Sequence, residues 1–457
     1  MTHSIPISPI ESWVHKKISA PGARLTREAL TRYQMARVQE TLDHALERSP
    51  FYKKAWRTFA GKKIKAPSDL HDLPFTKPED IQNAPLGFLT VSQDEIARVV
   101  TLNTSGTTAA PKRIFFTEED LELTVDYFAH AMADFVSAGE TVTIFMPGDK
   151  PHSIGQLIRD GLNRIGVEGI VAGPVSDPHK ACGLIANTGA ACLIGIPTQM
   201  LHLARTHRKS AAPGQNIRSV ILSADYVPRS MAQAIESAWG CRVFDHYGMT
   251  EMGYAGGVAC RGECGYHFRE ADLYLEIIDP ASGRPVNDGE PGEVVFTTLT
   301  RKGMPLIRYR TGDKARFSPH PCPCGTVLRR LDPVLGRTTG GMSLKNGSVL
   351  TLPELDEALF SVPGLLNFTA ELSGDSENKG ETDILRISLL TVPTATATAR
   401  YTARQQVAHI DTIIRAMDDG ALSLAELSTD CRPRGTTGMV KRTFTDNRSP
   451  RQQIWKR

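Results

Sequence analysis

Residues 101–113, TLNTSGTTAAPKR, crowd five hydroxyl side chains around one glycine and then break at Pro111. The run is too polar for a core and too short for a flexible linker. It has the ingredients of a phosphate-binding P-loop without the G-x-x-x-x-G-K-[ST] spacing. Three further short runs carry chemistry-bearing residues between apolar segments: SAD at 223–225, YGMTE at 247–251 and YRTGD at 309–313. The cysteines form two groups. Cys182, Cys192, Cys241 and Cys431 stand alone and are expected to pack as small apolar residues. Cys260, Cys264 and His267 lie close together, as do Cys322 and Cys324, and in a cytosolic chain such clusters suggest a metal before a disulfide.

These residues need elements to position them. Residues 26–48 carry a Thr cap signal and helically spaced apolar residues. From about 141 short apolar runs (TVTIFMPG, EGIVAG, ACLIGIP, SVILSAD, CRVFDHYG) alternate with amphipathic stretches (HSIGQLIRDGLNRIG, RSMAQAIESAWG). That alternation predicts a parallel sheet with helices on its faces, whose ligands sit beyond the carboxyl ends of the strands. SAD and DHYGMTE fall at such ends. After 270, LYLEIIDP, GEVVFTTLT and KARFSP read as short strands of a small antiparallel barrel. Beyond a Gly-rich stretch at 335–347 follows a smaller α+β piece. Its expected strands are NFTAELSG and DILRISLLTV, its helix spans about 402–418, and its tail frays after Ser449.

Bulk properties narrow the field. The chain of 457 residues is long enough for two or more domains. Its 53 basic and 50 acidic residues nearly cancel, which gives no footprint for nucleic acid. Nothing approaches the ~18 apolar residues of a membrane helix. The first residues, MTHSIPISPIESW, lack a basic start followed by an apolar stretch, so a cytoplasmic protein is expected.

Taken in order, TSGTTAAPK, SAD, YGMTE and YRTGD resemble the core motifs of adenylate-forming enzymes, the acyl-CoA synthetase superfamily. The segment 276–313 resembles its phenylacetate–CoA ligase branch. The resemblance implies an α/β N-terminal domain with parallel sheets, flanking helices and a small barrel over 1–336, and an α+β lid over 337–457. It implies ATP held by Thr104, Ser105, Gly106, Thr107 and Thr108 at the phosphates. Ser223, Ala224, Asp225, Tyr247 and Gly248 fall on the adenine side, Asp313 at the ribose, and Arg337 at the ribose or a phosphate. Thr250, Glu251 and Lys441 take the catalytic places, with Glu251 on Mg²⁺. The implied reaction is ATP-dependent ligation of a small or aromatic carboxylic acid to coenzyme A through an acyl-adenylate. The branch also implies a structural Zn²⁺ on Cys260 (or Cys264), His267, Cys322 and Cys324, a closed Cys₃His tetrahedron. The partners expected are the acid and a second copy in a homodimer, with neither nucleic acid nor membrane.

The chain departs from the motifs at several places. Ala109 and Ala110 stand where Gly and Lys are usual, leaving Lys112 to supply charge and implying a stiffer loop with reduced ATP affinity. Asp225 stands where the branch usually has Glu. Met439 follows Gly438 where the lid lysine belongs, with Lys441 two positions on, and the hinge after Arg337 reads TTGG instead of an acidic pair. These departures leave two further readings: an adenylating enzyme whose acceptor is not coenzyme A, and a nucleotide-binding accessory protein impaired in catalysis.

Overall fold

A computed structural model describes residues 6–18, 23–102, 111–206, 216–262, 265–338, 340–374, 382–430, 442–448 and 453–456. The chain forms two compact units. The first comprises residues 1–140, 147–171 and 244–338; the second comprises 141–146, 172–243 and 339–457.

In the first unit the helix Arg27–Arg48 starts where its cap signal places it, with the Thr26 side chain accepting from the Ala29 amide. The strand Lys112–Phe116 pairs antiparallel with Arg98–Leu102. The strand Arg242–Tyr247 carries the chain from the second unit into the first and pairs antiparallel with Gly257–Ala259. That strand pairs with Tyr266–Phe268, which in turn pairs with Arg330–Leu331. A four-stranded antiparallel sheet follows the order Leu273–Ile278, Gly292–Thr298, Tyr309–Ala315, Gly336–Arg337. Apolar alternation marks KARFSP as the strand, yet the strand begins at Tyr309 and ends at Ala315. YRTGD is therefore pleated backbone, and its side chains point alternately to two faces.

In the second unit Thr141–Phe145, Cys192–Gly195 and Ser219–Leu222 are parallel neighbours, as expected from their continuous apolar runs. The helices Pro178–Thr188, Pro197–Thr206 and Arg229–Trp239 connect or follow them. One apolar core joins Leu193, Met200, Leu222 and Ile235 to Leu355, Leu359, Phe360 and Leu389. It places the helix Leu352–Phe360 against the helix Arg229–Trp239.

The sheet beyond it is built on the antiparallel pair Leu365–Gly374 and Asp383–Thr391. The single helix expected over 402–418 is two, Thr396–Ala408 and Asp411–Asp418. The break at Ile410 turns both buried faces, Ala399–Ala403–Val407 and Ile413–Ala416, inward. The tail expected to fray contributes the strand Gln453–Lys456, paired antiparallel with Thr443–Asp446. Gly341, in the Gly-rich stretch, adopts φ +151°, and a Cβ there would lie 2.5 Å from Val349 Cγ1, so both backbone and packing favour glycine.

Cys182, Cys192 and Cys241 are buried as expected; Cys431 lies outside the described residues. No helix among the described residues is long and apolar enough to cross a membrane.

Candidate active site

Glu251 sits on the short turn Thr250–Met252 that follows the strand Arg242–Tyr247, and its carboxylate is buried. Lys112, the first residue of its strand, ion-pairs with Glu251 Oε1 and donates to the Tyr309 hydroxyl at 3.0 Å. Tyr309 donates to the same Oε1 at 3.1 Å. Burial, reinforced by the Glu251 charge, holds the Tyr309 hydroxyl well above its ordinary pKa, so it remains a donor. From the other side Arg301 Nη1 donates to the Glu251 carbonyl at 2.8 Å and lies over the Phe116 ring. A buried carboxylate held by one cation and one hydroxyl has the oxygen chemistry that a hard cation could use.

A second group lies on the antiparallel sheet. Asp313 and Arg337 are cross-strand partners, and Arg337 Nη1 donates to Asp313 Oδ1 at 2.9 Å. Tyr247 donates to Asp313 Oδ2 at 2.8 Å, and burial followed by the Asp313 charge drives its pKa well above the usual value. A carboxylate has about four acceptor sites, so Asp313 keeps capacity for further donors such as vicinal hydroxyls. Gly312, within the strand Tyr309–Ala315, has φ +74°, a left-handed conformation that favours glycine. Gly248 is equally fixed: a Cβ would meet Gly256 N and Tyr254 O at 2.9 Å.

In the second unit, residues 223–225 leave the strand Ser219–Leu222. The Ser223 amide donates to Gly195 O at 3.1 Å. Ala224 has φ +72°, a left-handed conformation uncommon for a residue with a Cβ. Asp225 Oδ1 accepts from the Tyr226 amide and pairs with Arg442 at 3.2 Å. Thr104, Ser105, Gly106, Thr107 and Thr108 lie outside the described residues, as do Cys264, Met439 and Lys441.

The cysteine groups converge. Cys260, His267, Cys322 and Cys324 are all buried, with donor atoms within 4.8 Å of one another. Cys260 Sγ and Cys322 Sγ are 3.5 Å apart, and Cys324 Sγ is 3.5 Å from His267 Nε2. Thiolates about 2.3 Å from a tetrahedral zinc stand roughly 3.8 Å apart, so these donors fit such an ion. A Cβ on Gly262 would sit 3.2 and 3.3 Å from the Cys260 and Cys322 sulfurs, so this glycine lets the chain curl around the cluster. The cluster ties the hairpin of Gly257–Ala259 and Tyr266–Phe268 to the loop before Arg330–Leu331. The Cys260 side chain and, after it, His267 hold the Cys324 thiol below its ordinary pKa. Burial acts against protonated His267, but the cysteines outweigh it and raise the imidazole to about 9.

Residues 36–299 match the family model of AMP-binding enzymes. The chain belongs to the AMP-binding enzyme family. It is 31% identical over 356 residues to a phenylacetate-coenzyme A ligase of Aromatoleum evansii, covering 76% of this chain and 78% of that protein. It is 28% identical to the phenylacetate-coenzyme A ligase of Escherichia coli K12, covering 84% and 87%. Its fold is similar to 2-hydroxyisobutyryl-CoA ligase in the postadenylation state with 2-HIB-AMP, at TM-score 0.75 and 21% identity over 91% of this chain and 88% of that one.

In this AMP-binding enzyme the structure joins Tyr247, Asp313 and Arg337 in one hydrogen-bonded group, and Glu251 with Lys112 in another. Sequence reasoning assigned no role to Tyr309, Arg301 or Arg442. Tyr309 stood in the quoted YRTGD motif; the other two carried no signal beyond being basic.

Proposed function

We propose that this AMP-binding enzyme is an ATP-dependent carboxylate–CoA ligase of the phenylacetate–CoA ligase type, acting on a small or aromatic acid. The observation that carries the reading is the buried Lys112–Glu251–Tyr309 group beside the Tyr247–Asp313–Arg337 group, in a chain of this family. Asp313 accepts from the ribose hydroxyls, Arg337 holds that carboxylate in place, and Tyr247 packs at the adenine. Residues 104–108 cradle the β- and γ-phosphates with hydroxyls and backbone amides.

Glu251 has the hard oxygen donor that Mg²⁺ takes, alongside substrate phosphates and water. The ion supplies neutralisation of phosphate charge during in-line displacement. Lys112 is the counter-ion of that carboxylate in this structure and would direct its positive charge to the phosphates. Thr250 sits beside Glu251 in the catalytic turn. Residues 337–457 act as a lid, with Lys441 bringing positive charge to the reacting carboxylate and α-phosphate. The acid attacks the α-phosphorus, pyrophosphate leaves, and the coenzyme A thiol then displaces AMP from the acyl carbon.

Cys260, His267, Cys322 and Cys324 hold a structural Zn²⁺ with no position open to substrate. The protein works in the cytoplasm, free or as a homodimer, without nucleic acid or membrane. Ala109, Ala110 and Met439 favour a second reading, in which adenylation is slow or the acceptor is not coenzyme A. Pyrophosphate release across a panel of acids, with and without coenzyme A, separates the two.

A further inference from the structure

Arg442, in the C-terminal part of the chain, is fully buried, and two carboxylates answer its charge. Its Nε lies 2.7 Å from Asp356 Oδ1, and its Nη2 lies 3.2 Å from Asp225 Oδ1. Asp356 is also fully buried, on the helix Leu352–Phe360. One guanidinium thus bridges two carboxylates more than a hundred residues apart in the chain, its face over the Phe360 ring. Removing a member of such a group leaves an uncompensated charge in a dry site.

The next residue on the same helix grips the same segment. Glu357 accepts from the backbone amides of Arg229 and Ser230 at 2.8 and 3.3 Å and from the Tyr226 hydroxyl at 3.2 Å. Those amides open the helix Arg229–Trp239, whose own N-cap residue, Pro228, provides no side-chain cap. A carboxylate from elsewhere in the chain therefore caps that helix.

Between these contacts runs the 223–230 segment, with Ala224 held left-handed. A strained alanine persists only where its surroundings over-determine it.

We propose that Arg442, Asp356 and Glu357 are positioning residues that hold the Ser223–Ala224–Asp225 segment in the form that receives the nucleotide. Nucleotide affinity then depends on residues of the C-terminal part that never touch the ligand. The inference rests on the ATP-binding reading given above. It also gives Asp225 a different task from direct ligand contact: its carboxylate anchors the segment.

Calorimetric titration of ATP into the full chain tests this, with unfolding temperature measured in parallel. The variants are Arg442→Lys, Asp356→Asn and Glu357→Gln, with Arg448→Lys as the control. Arg448 pairs with Asp446 and Asp383 in the same part of the chain, away from the segment. The three positioning variants are expected to lose about tenfold or more in ATP affinity, the scale of a hydrogen bond to a charged group. The control is expected to change stability alone. Wild-type affinity in Arg442→Lys and Glu357→Gln, or an equal loss in Arg448→Lys, overturns the proposal. Wild-type protein that binds no ATP contradicts the functional reading itself and removes the role with it.

Discussion

Asp313 and Arg337 face each other across neighbouring antiparallel strands with 2.9 Å between Oδ1 and Nη1, while Tyr247 takes the second carboxylate oxygen. On the proposed reading, replacing Asp313 removes an acceptor for the ribose and also takes its acceptor from the half-buried Tyr247 phenol. Asp313→Asn keeps an oxygen for Tyr247 and is expected to weaken ATP binding about ten- to a hundred-fold with the fold retained. Asp313→Ala is expected to add a stability loss of about 1–3 kcal/mol from the unpaired Tyr247 hydroxyl. Calorimetry and urea unfolding read the two effects apart, and wild-type ATP affinity in Asp313→Asn rules out the ribose role.

The Lys112–Glu251 pair makes a prediction through its coupling. Lys112→Met leaves Glu251 buried with only the Tyr309 hydroxyl, and a cost of about 3 kcal/mol is expected. Adding Glu251→Gln removes the uncompensated charge, so the double variant is more stable than Lys112→Met alone. Strictly additive losses in urea midpoints would show that the two groups do not interact in solution.

A pH dependence follows from Asp245, two residues before Tyr247 on the same strand. Burial raises its carboxyl to about 7, against which the Tyr266 hydroxyl bond works. Its folded pKa lies above the ordinary carboxylate value of 3.8. The folded chain therefore holds a proton that the unfolded chain has lost, and this group's contribution to stability falls as pH rises from about 4 to about 7. Asp245→Asn, which cannot ionise, is expected to raise the unfolding temperature at pH 8 and leave it little changed at pH 4. An equal shift at both pH values would contradict the assignment.

Purified protein is expected to hold about one zinc per chain, bound by Cys260, His267, Cys322 and Cys324. Acid protonates the ligands and releases the ion, and chelation lowers the unfolding temperature. Elemental analysis without zinc, on protein prepared without chelator, overturns this.

Legibility in the sequence followed the range of the interaction. Parallel strands such as Cys192–Gly195 showed as apolar runs, and Asp313, Arg337 and the cysteine cluster showed as motifs of fixed composition. Tyr309, Arg301 and Arg442 act through partners scores or hundreds of residues away, and neither periodicity nor spacing carries that information. Residues 172–243 and 339–457 share one compact unit, an association between distant stretches that no single run of residues announces. The break at Ile410 was invisible for a related reason: neither glycine nor proline marks it, and the core on which both helices pack decides it.

Acid-dependent adenylation followed by transfer to coenzyme A is open to a direct assay, pyrophosphate release with mass detection of products. The expected result is pyrophosphate released only with ATP, Mg²⁺ and a suitable small or aromatic acid, with acyl-CoA and AMP appearing when coenzyme A is added. Release that ignores every acid, or an acyl-adenylate that forms and never passes to coenzyme A, would contradict the account.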